Sequence, residues 1–290
     1  MPTTMGFHGW EFSFLALASA SSSIVRKTGP DKVLWSTGAT LLTEPATPEQ
    51  KQFMNVVEEM AIAAGIPKPQ LWTIEDDDPN AFATGMDPEH AHIAVTSGLL
   101  KLCSRDELQA VIGHEMGHVK NLDIRLMTLV AGLIGAVALI SDGLGRGLRF
   151  GFGGRSSSKN SKNLGPLVAV VLVLWLISWL LAPIITRMMA VGISRKREYL
   201  ADAMSAQFTR NPLALAAALE KIEHMEAPTA AIKGGVAHLC IADPLGRRVS
   251  NMEGFVGDLF ATHPPMAMRV AKLKAMGYQQ QKADGNFQPS

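Results

Sequence analysis

Two uncharged apolar runs, residues 126–140 (LMTLVAGLIGAVALI) and 164–185 (LGPLVAVVLVLWLISWLLAPII), dominate the pattern of this chain. The second meets the length of about 20 residues needed to cross about 30 Å of hydrocarbon. It has no polar face of the kind a helix at the surface of a soluble core presents. The first, roughly 15 residues long, is by itself ambiguous between a core helix and a span. Between them, 141–163 is rich in Gly, Ser and Arg and reads as a solvated loop. Two apolar segments around one polar loop predict a transmembrane helical hairpin whose backbone groups are satisfied internally. Two buried helices of a soluble protein are the alternative. Basic residues flank both ends, with Arg146, Arg149 and Arg155 in the loop and Lys120, Arg125, Arg187 and Arg195 outside it. Charge bias therefore does not choose an orientation.

Outside the hairpin the periods shorten. Residues 1–30 hold no usable targeting signal, because the apolar character of 12–25 is diluted by serines and no basic region precedes it. That segment stays undetermined. Thr47-Pro48-Glu49-Gln50 opens a helix with a cap, a proline at the first position and acid in the first turn. Phe53, Val56, Val57, Met60 and Ala64 share one face of it, and Gly65 ends it. Residues 70–75 (QLWTIE) alternate as a strand, 76–79 form an acidic turn, and 92–96 (HIAVT) are a second strand. Ser104 and Glu107 make a capping box for a helix expected to run unbroken through residue 118 and into the first apolar run.

Composition narrows the function classes. Charged residues make up 18% of the 290, below the soluble average of about 25%, as a membrane-embedded part requires. A net charge of +1 gives no argument for a nucleic-acid partner. Cys103 and Cys240 are the only cysteines and lie far apart, so they frame neither a disulfide scaffold nor a thiolate zinc site.

The chemistry is carried by His114-Glu115-Met116-Gly117-His118. On a helix, positions i and i+4 share a face, so both imidazoles reach one metal ion. Glu115 stands where it takes a proton from metal-activated water as general base. A catalytic zinc needs a third protein ligand. Glu198 and Asp202, again i and i+4, follow the second apolar run. Glu198 as ligand, with Asp202 accepting a ligand histidine's other N–H, is the economical assignment. The competing reading of Glu198 is an exposed ion pair with Arg195 or Arg197. At the helical rise, His118 stands about 12 Å from residue 126 and Glu198 about 20 Å from residue 185. The metal is thus expected near the bilayer surface.

These residues also carry a resemblance. Asn80-Ala81-Phe82-Ala83-Thr84-Gly85, Asp87-Pro88-Glu89-His90, Val95-Thr96-Ser97-Gly98-Leu99-Leu100, the His-Glu-Met-Gly-His helix, Arg197 to Asp202 and Thr262-His263-Pro264-Pro265 resemble the HtpX-like membrane zinc metalloproteases, relatives of the CAAX prenyl endopeptidases. The resemblance implies one Zn2+ per chain on His114, His118 and Glu198, with Glu115 as base. It implies that His263 stabilises the oxyanion, Arg269 braces Asp202, Asn80 contacts the substrate backbone, and the strand 92–96 is the edge along which an extended peptide lies. By itself His263 reads as a structural residue of a rigid turn, and Asn80 as an ordinary turn residue. The implied setting is the cytosolic side of a membrane, the inner membrane in a bacterium, with membrane or misfolded proteins as substrates. The family begins with an apolar hairpin that residues 1–30 do not match, which makes two spans the expectation here. The expected fold is mainly α with a small β-sheet (α+β): a zincin-like domain over 31–125 and 186–280, interrupted by the hairpin at 126–185, with 281–290 as a flexible tail. The alternatives are a membrane scaffold or chaperone-like binding protein with a relic site, and a peptidase specific for prenylated C-termini.

Overall fold

Local caps set the helix boundaries. The computed structural model describes residues 30–31, 33–129, 131, 173, 176–177, 195–225, 240–241 and 264–284. Helix α1, Pro48–Ala64, starts where the Thr47 side chain accepts the Gln50 amide at 3.2 Å and stops at Gly65 in the left-handed region. Phe53, Val56, Val57, Met60 and Ala64 all point into the core. The capping box is present as expected. Ser104 N–H donates to Glu107 Oε2 at 2.8 Å, and Glu107 N–H to Ser104 Oγ at 3.4 Å.

Four strands form one sheet: β1 (Thr40–Leu41), β2 (Gln70–Ile74), β3 (Ala81–Gly85) and β4 (Ala91–Thr96), in the order β1-β2-β4-β3. β2 and β4 run parallel, and the other two pairs are antiparallel. Alternation found β2 and β4. It did not find β3, whose residues are all buried, Thr84 included, so no exposed polar face marks its period. The expectation that residues 92–96 form the sheet edge is wrong. β4 lies between β2 and β3, with backbone partners on both sides. Among the described residues, the edge on that side is β3.

Five more helices follow among the described residues: α2 (Ser97–Leu102), α3 (Arg105–Lys120), α4 (Arg195–Thr209), α5 (Pro212–His224) and α6 (Met266–Ala283). α3 carries the His-Glu-Met-Gly-His motif and is buried along most of its length. It does not run on into the first apolar segment. It ends at Lys120, Leu122 takes φ 60°, and helix resumes over 123–129. α6 continues through Ala283, into the start of the expected tail. Among the described residues, no helix is long and apolar enough to cross a membrane. The apolar runs lie outside the described residues except at 126–129, 131, 173 and 176–177, as do 1–29 and 285–290.

α4 packs on α3 through small residues. A Cβ on Gly117 would stand 3.2 Å from Ala201 Cα, and one on Gly113 would stand 3.2 Å from Ser205 Oγ. Ser205 Oγ in turn donates to the Ala110 carbonyl at 2.6 Å. The two helices therefore approach closely where the motif lies. Gly117→Val should force them apart and lower stability by about 1–3 kcal/mol, as overpacking does. Thermal denaturation measures this, and an unchanged melting temperature would show that the crossing has slack.

Candidate metal centre

α3 places His114 and His118 one turn apart, and α4 brings Glu198 over them. The two Nε2 atoms are 3.1 Å apart, His118 Nε2 is 3.5 Å from Glu198 Oε1, and His114 Nε2 is 3.7 Å from Glu198 Oε2. In a tetrahedral site with bonds of about 2.1 Å, donor atoms sit about 3.4 Å apart. The spacing, and a donor set of two imidazoles and a carboxylate, fit a divalent cation such as zinc. All three residues are buried. Glu198 thus faces inward and is wholly buried, not exposed; Arg197 meets Asp123, Nε to Oδ1 at 3.5 Å.

Each histidine is held from behind. His114 Nδ1 lies 3.0 Å from Asp202 Oδ1, and His118 Nδ1 lies 3.2 Å from Asp123 Oδ2. Both rings therefore turn Nε2 toward Glu198. Arg269, from α6, is wholly buried. Its Nε donates to Asp202 Oδ2 at 2.9 Å, its Nη2 to Asp202 Oδ1 at 2.6 Å, and its Nη1 to the Ile241 carbonyl at 3.2 Å. Nη1 also lies 3.5 Å from Glu198 Oε2.

Glu115 is buried beside the donors, and one of its oxygens, Oε2, has no hydrogen-bond partner. The Ala83 amide of β3 bonds to its carboxylate. Asn80 sits at the head of β3 with its side chain buried. Its Oδ1 accepts the Ala81 amide at 3.2 Å, and its own amide donates to Thr96 Oγ1 at 2.8 Å. His263 lies outside the described residues; Pro265, two positions on, accepts the Arg269 amide in the first turn of α6. The other histidines among the described residues point elsewhere: His90 Nδ1 pairs with Asp87, His92 Nδ1 accepts the Trp72 indole N–H, and His224 Nδ1 bonds the Glu220 carbonyl. Cys103 and Cys240 are both buried, and neither is in a disulfide. Sequence reasoning missed Asp123. The sole local signal for it was Asn121, a residue type that suits a helix end, just before it.

Burial and charge divide the protons among these groups. Burial pushes Glu115 up to about 7. Burial also lowers His114 below the ordinary imidazole value, which leaves it neutral. For His118 burial works the same way, but the Asp123, Glu198 and Glu115 carboxylates outweigh it and raise the imidazole to about 9. For Asp202 burial opposes ionisation, yet Arg269 and His114 hold its carboxyl down to about 2. A cation entering the site must therefore displace the His118 proton. Its apparent affinity should fall as pH drops below about 9, by up to about tenfold per unit from this one group. Calorimetry in buffers of different ionisation enthalpy should count about one proton released per ion near pH 7. No release would contradict a protonated His118.

Peptidase family M48 matches residues 48–277. The Protease HtpX homolog of Caldanaerobacter subterraneus subsp. tengcongensis is 42% identical over 91% of this chain and 84% of its own length. That of Thermoanaerobacter pseudethanolicus is 44% identical, over 80% of this chain and 74% of its own. That of Tropheryma whipplei (strain Twist) is 42% identical, over 92% and 86%. The crystal structure of S. mikatae Ste24p shares the fold, with a TM-score of 0.53 at 18% identity, over 90% of this chain and 58% of that one. This chain thus spans less than two thirds of the Ste24p chain. With a family match that runs from the first residue of α1 into α6, this chain belongs to peptidase family M48 and is a metalloendopeptidase.

Proposed function

We propose that the chain is a membrane-anchored zinc endopeptidase that hydrolyses peptide bonds of membrane or misfolded proteins. The observation that carries this reading is the buried His114, His118, Glu198 cluster, with its ligand atoms within 4.8 Å of one another, beside the unpartnered oxygen of Glu115. In the proposal the three residues hold one zinc. Zinc, when bound, supplies a Lewis acid that polarises the scissile carbonyl and lets water ionise near neutral pH.

The chain's own residues do the rest. Glu115, which burial brings to about 7, takes a proton from the attacking water and passes it to the leaving amine. Asp202 orients His114, and Arg269 keeps Asp202 charged and in place. We assign His263 to the oxyanion and Asn80 to the substrate backbone. An extended peptide is proposed to pair with β3, the corrected edge, by main-chain hydrogen bonds that give grip with little sequence choice. Three outward backbone groups of β3 already have partners: the Ala81 carbonyl accepts the Ile241 amide at 3.0 Å, the Gly85 amide donates to Thr128 Oγ1 at 3.0 Å, and the Ala83 amide reaches Glu115; a docking peptide uses the groups left over or displaces these partners.

The membrane part of the proposal rests on the apolar runs 126–140 and 164–185 and on the protease relatives, with the site on the cytosolic side, and in a bacterium at the inner membrane. Glu115→Gln should keep about one zinc per chain by elemental analysis and lose peptide hydrolysis by roughly 10²- to 10⁴-fold. Glu198→Ala should lose the zinc. Full activity in the first variant would sink the assigned base, and full zinc in the second would sink the third ligand.

A further inference from the structure

We propose that Asp123 is the positioning residue of His118, and that the left-handed turn at Leu122 serves to deliver it. The inference rests on the zinc reading and adds a residue to it. Asp123 Oδ2 stands 3.2 Å from His118 Nδ1, with both side chains buried. Had α3 continued as a helix, a residue five positions beyond His118 would project about 140° away around the axis. It could not reach back to that ring. The chain solves this by leaving the helix. Asn121 caps α3, Leu122 adopts φ 60°, and helix restarts at residue 123.

That turn is unfavourable where it occurs. An L-residue with a branched side chain is strained in the left-handed region. Leu122 is also 46% exposed, so burial of its own side chain does not compensate the strain. The return lies one residue on. Through Oδ1, at 3.5 Å, the same carboxylate meets Arg197 Nε, and Arg197 directly precedes Glu198 on α4. Asp123 therefore ties a donor of α3 to the residue beside the donor of α4. The arrangement parallels that at His114, where Asp202 backs the ring and Arg269 backs Asp202. With a carboxylate on Nδ1, His118 keeps its proton there and its Nε2 lone pair toward the ion.

The test compares zinc affinity, the visible spectrum of the Co(II)-loaded protein and the melting temperature in full-length, detergent-purified protein. Asp123→Leu keeps the shape and removes the acceptor. It should weaken zinc by roughly 10- to 100-fold and alter the Co(II) spectrum. Asp123→Asn keeps an acceptor without the charge and should fall between Leu and wild type. Leu122→Gly, which takes the left-handed turn freely, should retain wild-type affinity and melt no lower. Affinity and spectrum of Asp123→Leu within about twofold of wild type would overturn the proposal even if its melting temperature fell, because that is the mark of a purely structural residue. If Asp123→Leu does not fold, an Asp123→Asn protein indistinguishable from wild type in both readouts overturns it equally. Loss of zinc affinity in Leu122→Gly would overturn the role of the turn. Wild type without zinc, or Glu198→Ala with zinc, would instead refute the metal reading itself.

Discussion

The close crossing of α3 and α4 is the constraint on which the site depends. Glu198 reaches within 3.5 and 3.7 Å of the two imidazoles because Gly117 leaves room for Ala201 and Gly113 for Ser205. Gly117 lies inside the His-Glu-Met-Gly-His motif, yet its task is packing and not chemistry. The helix that presents the histidines has one face of donors and another free of bulk. That second face sets how near the third donor comes. The interior of α3 therefore obeys two periodic demands at once, and small residues satisfy the one that a reading for catalysis overlooks.

Electrostatics follow from that crossing. It encloses His114, Glu115, His118, Glu198, Asp202, Asp123 and Arg269, each less than a tenth exposed. Buried charges are tolerated when each has a well-placed partner and become severely destabilising when one partner is removed. Here the pairs form a chain: Arg269 with Asp202 and Glu198, Asp202 with His114, Glu198 with both histidines, Asp123 with His118 and Arg197. Four carboxylates share the cluster with one fully buried guanidinium, the half-buried Arg197 at its rim and two imidazoles, and a divalent cation would compensate the excess of acid. Arg269 is the least replaceable part of this scheme. Among the described residues it is the one buried cation that is permanently charged, and its planar fork engages both oxygens of Asp202.

How legible was this in the sequence? Wherever a local rule acted, it was readable. The Thr47 cap, the Ser104–Glu107 box, the alternation of 70–75 and the i, i+4 histidines all describe interactions between residues close in the chain. Asp202 was reachable because i+4 spacing from Glu198 put both on one face. Arg269 came only through family resemblance, since nothing in Met266–Ala283 signals a guanidinium destined for full burial. β3 escaped because a strand buried on both faces has no polar side of its own. Asp123 escaped because its position depends on a backbone conformation that leucine disfavours. A rule based on preference predicts against it.

The misplaced sheet edge has the largest consequence for how the molecule works. With β4 as the edge, a docked peptide would be separated from Glu115 by a strand. With β3 as the edge, the strand and the general-base candidate are joined directly, because the Ala83 amide bonds to the Glu115 carboxylate. In the proposed docking, a peptide along β3 lies beside that carboxylate, while the Ala83 amide stays with Glu115. The far end of β3 is fixed too. Thr128 Oγ1 accepts the Gly85 amide at 3.0 Å and lies 2.8 Å from Thr84 Oγ1. Thr128 belongs to the helical residues 123–129, whose course is set by the turn at Leu122. That turn consequently does two things. It brings Asp123 under His118, and it sends the following helix past the end of β3, so the donors and the strand proposed to hold the substrate share one support.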